Sequence, residues 1–414
     1  MMAVDVSKFV NAQRLWERHM EMAQYGRTPQ GGVNRQALST EDAMARRVLV
    51  TWAELLGLTV GTDVVGNLFM RLQGTNPEAA PVVTGSHIDS QPTGGRFDGV
   101  YGVLAGLEAI QAIREAGIVP KRSLELAVWM NEEGSRFAPG MMGSSVFSGS
   151  RTLDSVLSVI DAQGISVGQA LEEIRNEFPD IPLWPLERRL HAYIEAHIEQ
   201  GPVLEREGIT IGVVTGIQGK RTFRVSVSGE EAHAGTAARS ERRDALLAAV
   251  ELIQAIKALC EDDEDLVKFT VGRLDVKPNA PSVVPAEAVF SIDLRHPDSS
   301  KLQSLGDQLL DLCAYEYERC AVSIQELSAA PSLEFPDSIR SLIRRTAEDQ
   351  SISCMDILSK AGHDARYLHY VCDTGMIFIP CKDGISHNEA ESATERDLAD
   401  GARVLVGVLL GLST

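Results

Sequence analysis

The stretch Pro81-Val-Val-Thr-Gly-Ser-His-Ile-Asp89 is a short apolar run with the pattern of a buried strand, and it delivers His87 at its end. A second apolar run, Leu124 to Met130, leads in the same way into Asn131-Glu-Glu-Gly134. A helical pattern over 99–116 separates the two runs, and this β-α-β order is typical of a mostly parallel sheet. Sheets of this kind bind ligands at the carboxyl ends of their strands. The two runs therefore predict an α/β fold with a site at that edge.

The alternation of strands and helices continues on both sides of this unit. Hydrophobic periodicity and helix-start residues predict helices at 5–25, 39–56 and 337–349 and from Thr394 to Leu412, and strands at 58–72, near 353–358 and near 375–379. We therefore predict a discontinuous catalytic domain made of residues 1–215 and 331–414.

The region between these parts follows a different order. Strand patterns at 222–228, 267–274, 286–294 and 321–327 enclose helical patterns at 240–259 and 299–318. The resulting order, β-α-β-β-α-β, is that of the ferredoxin-like split βαβ unit. We therefore predict that residues 216–330 form an inserted α+β domain of the size of a lid.

Composition excludes several classes of function. The formal net charge of −19 argues against nucleic acid as a partner, because binding to phosphates requires a basic face. No apolar run approaches the roughly 20 residues that span a bilayer, and Met1–Phe9 lacks the pattern of a signal peptide. The six cysteines form no CxxC motif, which favours reduced thiols. We therefore expect a cytoplasmic protein with no membrane partner.

A hydrolytic site with two metal ions needs ligands for each ion, one shared ligand and a base for the attacking water. Imidazole and carboxylate groups that suit zinc, manganese, cobalt or nickel occur in separate short motifs at His87, Asp98, Glu133, His197 and His387. Asp98 is the natural shared ligand, since one carboxylate can hold two ions about 3.5–4 Å apart. Glu132 is better interpreted as the general base, because it cannot easily bind the same ion as the adjacent Glu133.

Each of these residues also has an ordinary structural explanation. A single histidine after a strand is more often a hydrogen-bonded structural residue, and a Glu-Glu pair at the same place is usually a solvated turn. No short motif such as HExxH links the ligands to one another. Spacing alone therefore leaves both interpretations open.

Longer motifs around these residues occur in a fixed order along the chain. They are Gly85-Ser-His-Ile-Asp-Ser90, Gly94-Gly-Arg-Phe-Asp-Gly-Val-Tyr-Gly102, Asn131-Glu-Glu-Gly-Ser-Arg-Phe137, His197-Ile-Glu-Gln-Gly-Pro-Val-Leu-Glu205, His233-Ala-Gly-Thr236, Pro278-Asn-Ala-Pro281, Asp293-Leu-Arg-His296 and Gly384-Ile-Ser-His-Asn-Glu-Ala-Glu391. In these motifs the chain resembles the M20-type metallohydrolases, specifically the hydantoinase/carbamoylase branch of amidases. That branch contains N-carbamoyl-L-amino-acid hydrolases, β-ureidopropionases and allantoate amidohydrolases.

The resemblance implies two divalent metal ions per subunit, with zinc as the first choice. His87 and His197 would bind opposite metals, and Asp98 would bridge them. Glu133 and His387 would complete the coordination of the second ion. The resemblance also implies a homodimer that forms through the inserted domain.

The resemblance further implies a set of substrate contacts. Gln200 matches a substrate-contact position, and His233, Asn279 and Arg295 lie in the inserted domain, where such residues contact the substrate or stabilise the transition state. Arg295 offers a planar fork for a substrate carboxylate, or else it forms a surface ion pair. His233 could donate to a developing oxyanion across the dimer interface, or else it is a capping or surface histidine.

One stretch departs from the family pattern. The family often has Gly-Ala-Gly-His-Asp near the substrate, whereas this chain has Ser359-Lys-Ala-Gly-His-Asp-Ala365. Lys360 and Ala361 in this stretch are candidate substrate contacts. Lys360 either adds a second cation for a substrate carboxylate or points outward, so the departure concerns the substrate more than the chemistry.

The expected reaction is the hydrolysis of a linear amide C–N bond in a small ureido or amide substrate that carries a carboxylate. The first choice is an N-carbamoyl-L-amino acid, with Glu132 as the acid/base; allantoate amidohydrolase and β-ureidopropionase are the alternatives. A peptidase of the wider M20 group is less favoured, because His197-Ile-Glu-Gln-Gly-Pro202 resembles the amidase branch. A non-catalytic binding protein would lack a ligand or the base, and this chain has all of them.

Overall fold

The computed structural model describes residues 5–414 and divides the chain into two compact units. The first unit comprises the residues up to Thr215 together with Phe335–Thr414, and the second comprises Gly216–Glu334. The prediction that Met1–Phe9 is not a signal peptide concerns in part residues 1–4, which lie outside the described residues. Among residues 5–414, no helix is both long enough and apolar enough to cross a bilayer.

The first part of the first unit alternates strands with helices. Its strands are β1 (Thr59–Thr62), β2 (Leu68–Leu72), β3 (Val82–His87), β4 (Leu124–Trp129), β5 (Ala192–Ile198) and β6 (Ile211–Ile217). Its α-helices are α1 (Ala12–Met22), α2 (Thr40–Leu55), α3 (Val100–Glu115), α4 (Met142–Phe147), α5 (Leu153–Leu157), α6 (Val167–Glu177) and α7 (Val203–Glu207), and Val6–Phe9 forms a 3₁₀ turn.

The second unit and the return to the first follow in chain order. The second unit contains β7 (Gly219–Ser228), β8 (Ala232–His233), α8 (Ala245–Leu259), β9 (Lys268–Thr270), β10 (Leu274–Lys277), β11 (Val283–Val284), β12 (Glu287–His296), α9 (Ser299–Cys313), β13 (Ala321–Ala330) and β14 (Leu333–Glu334). The first unit then resumes with α10 (Asp337–Asp349), β15 (Cys354–Ser359), α11 (Ala365–Leu368), β16 (Asp373–Ile379) and α12 (Glu395–Leu412).

The sheet of the first unit is parallel at its centre and antiparallel at its flanks. Its strand order is β1-β2-β4-β3-β5-β16-β6, and β15 pairs with β6. The neighbours β4, β3, β5 and β16 run parallel, whereas β1, β2 and β6 are antiparallel to their partners. The predicted α/β class with a largely parallel centre is therefore confirmed. Every residue of β3, β4 and β5 is buried, as expected for parallel strands that are covered on both faces.

One predicted strand is in fact a hairpin. Residues 58–72 form β1 and β2, which pair antiparallel from Thr59↔Arg71 to Thr62↔Leu68. Gly66, at φ 90°, lies in the turn, where the absence of a side chain permits a left-handed backbone. The Asp63 carboxylate accepts the backbone N–H groups of Val65 and Asn67, each at 3.0 Å. This local chemistry reverses the chain inside a run whose hydrophobicity predicts a single strand.

Helix α1 is held on α3 by a buried carboxylate, and this contact predicts a large effect on stability. Glu108 is fully buried and accepts the backbone N–H of Asn11 at 2.8 Å and Arg14 Nη2 at 2.6 Å. The change Glu108→Ala should lower the free energy of unfolding by roughly 3 kcal/mol, because it removes the buried carboxylate that pairs with the largely buried guanidinium groups of Arg14 and Arg18. Urea denaturation would measure this loss.

The matched control is Glu115→Ala, which removes the other carboxylate that Arg14 contacts, at 2.8 Å. The Glu115 side chain is 41% exposed, so its ion pair should contribute less than about 1 kcal/mol. Equal losses for the two variants would show that the burial of Glu108 is not what makes its contact stabilising.

The second unit is built on one antiparallel sheet with the order β10-β12-β7-β13, and β9 also pairs with β12. Along the chain, its main elements β7, α8, β9 with β10, β12, α9 and β13 follow the predicted order β-α-β-β-α-β. Helices α8 and α9 pack on the sheet around a core that includes Phe223, Leu252 and Phe290. The strand predicted at 267–274 is interrupted, and Gly272 lies in the break between β9 and β10, where a glycine weakens strand pairing.

Candidate metal centre

The carboxyl ends of the parallel strands gather the predicted ligands. His87 is the last residue of β3, Glu132 and Glu133 follow β4, His197 lies near the end of β5, and His387 lies in the loop after β16. These four strands are parallel neighbours, so their ends meet at the same edge of the sheet.

Asp98 stands between two groups of ligands. It lies in the loop before α3, with Oδ1 at 3.1 Å from His197 Nε2 and 3.8 Å from His87 Nε2. Its other oxygen, Oδ2, lies 3.2 Å from His387 Nε2, which in turn lies 3.3 Å from Glu133 Oε2. In each group the ligand atoms lie within 4.8 Å of one another. One carboxylate therefore presents a different oxygen to each group.

This arrangement corrects one assignment implied by the resemblance. His87 and His197 were expected to bind opposite metals, but both approach the same oxygen of Asp98, and their rings lie 6.0 Å apart. Glu133 and His387 form the other group. The reason lies in the topology, because β3 and β5 pair directly and bring their histidines to one side of Asp98.

The two buried histidines are oriented as metal ligands usually are. His87 Nδ1 donates to the carbonyl of Asp89 at 3.0 Å, and His197 Nδ1 donates to the carbonyl of Ile198 at 2.9 Å. A proton held at Nδ1 makes Nε2, on the side of Asp98, the nitrogen that carries the lone pair. In His197 this Nε2 accepts the backbone N–H of Gly99 at 3.0 Å, the contact that an ion would replace. Burial also lowers the pKa of His87 to about 4, which favours the neutral, ligating imidazole.

Gly99 makes the approach of His87 possible. A Cβ built on this glycine would lie 2.3 Å from Cε1 of the His87 ring, and the residue has φ 66°. Any other residue would therefore both strain the backbone and displace the ring. The glycine lets the loop that carries Asp98 pass directly over His87.

The charges in the site fit divalent cations. Burial, followed by the charge of Asp98, raises the pKa of the Glu133 carboxyl to about 8. Burial, followed by the charge of Asp364, raises the pKa of Glu132 well above its usual range. Several carboxylates crowded into a buried space repel one another unless cations accompany them. A donor set of imidazoles and carboxylates suits zinc, manganese, cobalt or nickel.

Glu132 lies beside the ligands but belongs to neither group. Its Oε2 is 3.5 Å from His87 Nε2, and its side chain is 10% exposed. The backbone N–H groups of Glu132 and Glu133 both donate to the Asp89 carboxylate, at 3.2 and 3.1 Å. Asp89 therefore holds the two consecutive glutamates, a role that sequence reasoning missed although Asp89 follows His87 by two positions.

Gln200 lies against the bridging residue. It adopts a left-handed backbone with φ 56°. Its Nε2 donates to Asp98 Oδ2 at 2.9 Å and to Ser386 Oγ at 3.1 Å. Among the described residues its buried Oε1 has no hydrogen-bond partner, so an acceptor remains available next to the ligand groups.

The segment after β15 borders the same site. Lys360 is exposed and Ala361 is half-buried, while His363 is buried with its ring 4.6 Å from the ring of His197. His363 Nε2 is hydrogen-bonded to Ser359 Oγ at 3.1 Å.

The other predicted substrate contacts lie in the second unit. His233 is exposed, and its Nδ1 accepts the backbone N–H groups of Gly235 and Thr236 at 3.0 and 3.2 Å. Asn279 is exposed with a left-handed backbone, φ 56°. Arg295 forms a two-pronged ion pair with Asp293, at 2.8 and 3.1 Å.

A buried polar layer behind the ligands was also missed by sequence reasoning. Glu195, inside β5, accepts Ser86 Oγ at 2.7 Å and the backbone N–H of Ala365 at 2.9 Å. Asp364 accepts the hydroxyl of Ser144. The signal was present, since a carboxylate inside the apolar run 192–198 is uncommon without a buried partner.

The chain is similar to known proteins over most of its length. Residues 83–411 match the family described as peptidase family M20/M25/M40. The chain is 39% identical over 412 residues to an N-carbamoyl-L-amino-acid amidohydrolase of Rhizobium meliloti, which covers 99% of this chain and 98% of that protein. It is 33% identical over 397 residues to an allantoate amidohydrolase of Bacillus subtilis (strain 168), covering 95% of each.

A solved structure of an amidase of the hydantoinase/carbamoylase family from Burkholderia multivorans is also similar. It matches with a TM-score of 0.87 and 44% sequence identity, and the match covers 98% of both chains. The similarity therefore extends over the residues of both units.

Proposed function

Since the chain belongs to peptidase family M20/M25/M40, we propose that it is a metal-dependent amidohydrolase that cleaves the ureido group of N-carbamoyl-L-amino acids. The observation that carries this proposal is the pair of ligand groups that share Asp98, with Glu132 beside them. The relative from Rhizobium meliloti is named for this activity and matches 99% of this chain, which supports the choice of substrate. The chain is thus a hydrolase of C–N bonds other than peptide bonds.

The proposed metal ligands divide into the two groups seen in the structure. His87 and His197 would hold one divalent ion, Glu133 and His387 the other, and Asp98 would serve both. Ions bound there would supply Lewis-acid polarisation of the carbonyl group and a more acidic water. Zinc is our first choice, and the same donors accept manganese, cobalt or nickel.

Glu132 is proposed as the group that moves the proton. It is nearly buried beside His87, and burial raises the pKa of its carboxyl well above the usual range. A carboxylate with a raised pKa can take a proton from water and return it to a leaving nitrogen. For an N-carbamoyl-L-amino acid, the products would be the amino acid, carbon dioxide and ammonia.

Recognition of the substrate is assigned to residues of both units. We propose that Gln200 Oε1 accepts a hydrogen bond from the ureido nitrogen, because this buried acceptor has no partner among the described residues. His233 would donate from Nε2 to a developing oxyanion, since its Nδ1 already accepts two backbone N–H groups. Arg295, Asn279 and the segment that begins with Lys360 would contact the carboxylate end.

We also propose that the second unit serves as the lid and carries the interface of a homodimer. The resemblance to the amidase branch supports both roles, and lid closure would exclude water from the site. A cytoplasmic location stays a prediction from the six cysteines, which form no disulfide among the described residues.

Allantoate is the second candidate substrate. The relative from Bacillus subtilis is named for that activity and covers 95% of this chain. Allantoate and N-carbamoyl-L-amino acids both present a ureido group and a carboxylate, so the same ligands and the same general base would serve either substrate.

A substrate panel tests the proposal. The metal-loaded protein would be assayed with N-carbamoyl-L-amino acids, N-carbamoyl-β-alanine, allantoate and a dipeptide, with the metal varied. We expect kcat/KM for the best N-carbamoyl-L-amino acid to exceed the others by about tenfold or more, because buried polar groups discriminate strongly between substrates. A preference for allantoate would replace the substrate but keep the chemistry. Hydrolysis of the dipeptide alone would contradict both.

A further inference from the structure

Glu391 connects two of the loops that carry the proposed metal ligands. Its side chain is almost completely buried, with 1% exposure. Oε1 accepts the backbone N–H groups of Phe97 and Asp98, at 2.8 and 3.0 Å. Oε2 accepts the hydroxyl of Ser386 at 3.0 Å, and Ser386 directly precedes His387. One carboxylate therefore contacts the backbone of the bridging residue and the loop of a second ligand.

The Glu391 carboxylate packs directly against Gly95. A Cβ built on Gly95 would lie 2.0 Å from Glu391 Oε1, so only a residue without a side chain allows the glutamate to reach the two amides. Ser386 Oγ also lies 3.0 Å from Asp98 Oδ2, which links the backbone contact to the carboxylate that faces the ligands.

We propose that Glu391 is a positioning residue for the two-metal site. It holds the loop of Asp98 so that one carboxylate oxygen faces each ligand group, and at the same time it anchors the loop of His387. Glu391 belongs to neither ligand group, so it acts through Asp98 and not on the substrate. This inference rests on the proposed function, since it concerns the same pair of ions.

The physical basis is the pre-organisation of the ligands. Groups behind metal ligands orient them, and their removal typically costs about 10–100-fold in metal affinity. Without the carboxylate, the amides of Phe97 and Asp98 lose their buried acceptor, and the loop gains freedom that metal binding must then remove. The loss should therefore appear in the affinity of the metal-free protein for its ions.

The test measures ion binding directly. The full chain, stripped of metal, is titrated with Zn²⁺ and separately with Mn²⁺ against a competing chelator. Glu391→Ala should bind the ions about 10–100-fold more weakly than the unmodified protein. Glu391→Gln should recover most of this loss, because its amide oxygen can accept one backbone N–H and its NH₂ group can donate to Ser386.

A control separates positioning from general destabilisation. Glu108→Ala removes another fully buried carboxylate that accepts a backbone N–H. This carboxylate lies in α3 and contacts the start of α1, and neither helix carries a proposed ligand. It should lower stability and leave the affinity for ions unchanged. Equal weakening of ion binding in Glu108→Ala would overturn the inference, as would a folded Glu391→Ala protein that binds two ions with unchanged affinity.

A second variant covers the case in which Glu391→Ala does not fold. Gly95→Ala keeps both carboxylates but places its Cβ against Glu391 Oε1, so it should weaken ion binding in the same direction. If this variant binds ions as the unmodified protein does, the inference is wrong. If the unmodified protein itself binds no Zn²⁺ or Mn²⁺, the proposed function fails first.

Discussion

The change Glu132→Gln is expected to lower kcat by about 10²–10⁴-fold, the usual contribution of a general acid–base group. Glutamine has nearly the same shape but can neither take a proton from water nor return one to the leaving nitrogen. Glu132 Oε2 lies 3.5 Å from His87 Nε2 and outside both ligand groups, so the variant should keep its full content of ions.

The measurement pairs steady-state kinetics on the best substrate of the panel with metal analysis of the same preparation. A fall in kcat with an unchanged number of ions per chain supports the role of Glu132 as the base. Substantial remaining turnover would refute that role. A loss of ions together with activity would instead make Glu132 a ligand.

The change Asp98→Ala is expected to remove both ions and nearly all activity. Metal ions supply several kcal/mol of transition-state stabilisation, so at about 1.4 kcal/mol for each factor of ten the loss should be on the order of 10³-fold or more. The reason is geometric, because His197 approaches Oδ1 of Asp98 at 3.1 Å while His387 approaches Oδ2 at 3.2 Å. Removal of this carboxylate takes a ligand from both groups at once.

The matched variant is His387→Ala, which takes a ligand from one group only. The group of His87, Asp98 and His197 remains complete in that variant, so we expect one ion per chain to persist. Calorimetric titration of the metal-free proteins would count the ions. Retention of two tightly held ions by Asp98→Ala would show that Asp98 does not bridge the two groups.

Sequence patterns located most of the first unit because its strands are short, apolar and separated by amphipathic helices. Helix α10 begins and ends where the periodicity predicted, and α12 begins after Thr394, whose hydroxyl accepts the N–H of Asp397. Strand β5 was missed, because Glu195 and His197 interrupt its apolar run. Both side chains are buried in the structure. Their polar partners lie on other segments, such as Ser86 for Glu195, so the pattern of residues 192–198 alone does not reveal them.

The residues that the structure brings together at this edge were also largely predictable from residue types. A shared carboxylate, an adjacent glutamate as base and three imidazoles follow from the motifs, since metals in proteins prefer those donors. The pairing of the histidines did not follow, and the assignment of His87 and His197 to opposite ions was wrong. Which histidine shares an oxygen with which depends on strand order, a property of the sheet and not of any one segment.

The sequence by itself therefore determined the fold class and predicted the ligand types and the general base, because these depend on local hydrophobic pattern and side-chain chemistry. Tertiary structure alone decided how the ligands divide around Asp98 and which buried groups hold them. Asp89, Glu195 and Glu391 act through backbone amides and hydroxyls contributed by distant segments. Such contacts leave no periodicity in the chain, because they arise only when parallel strands and their loops converge at one edge of the sheet.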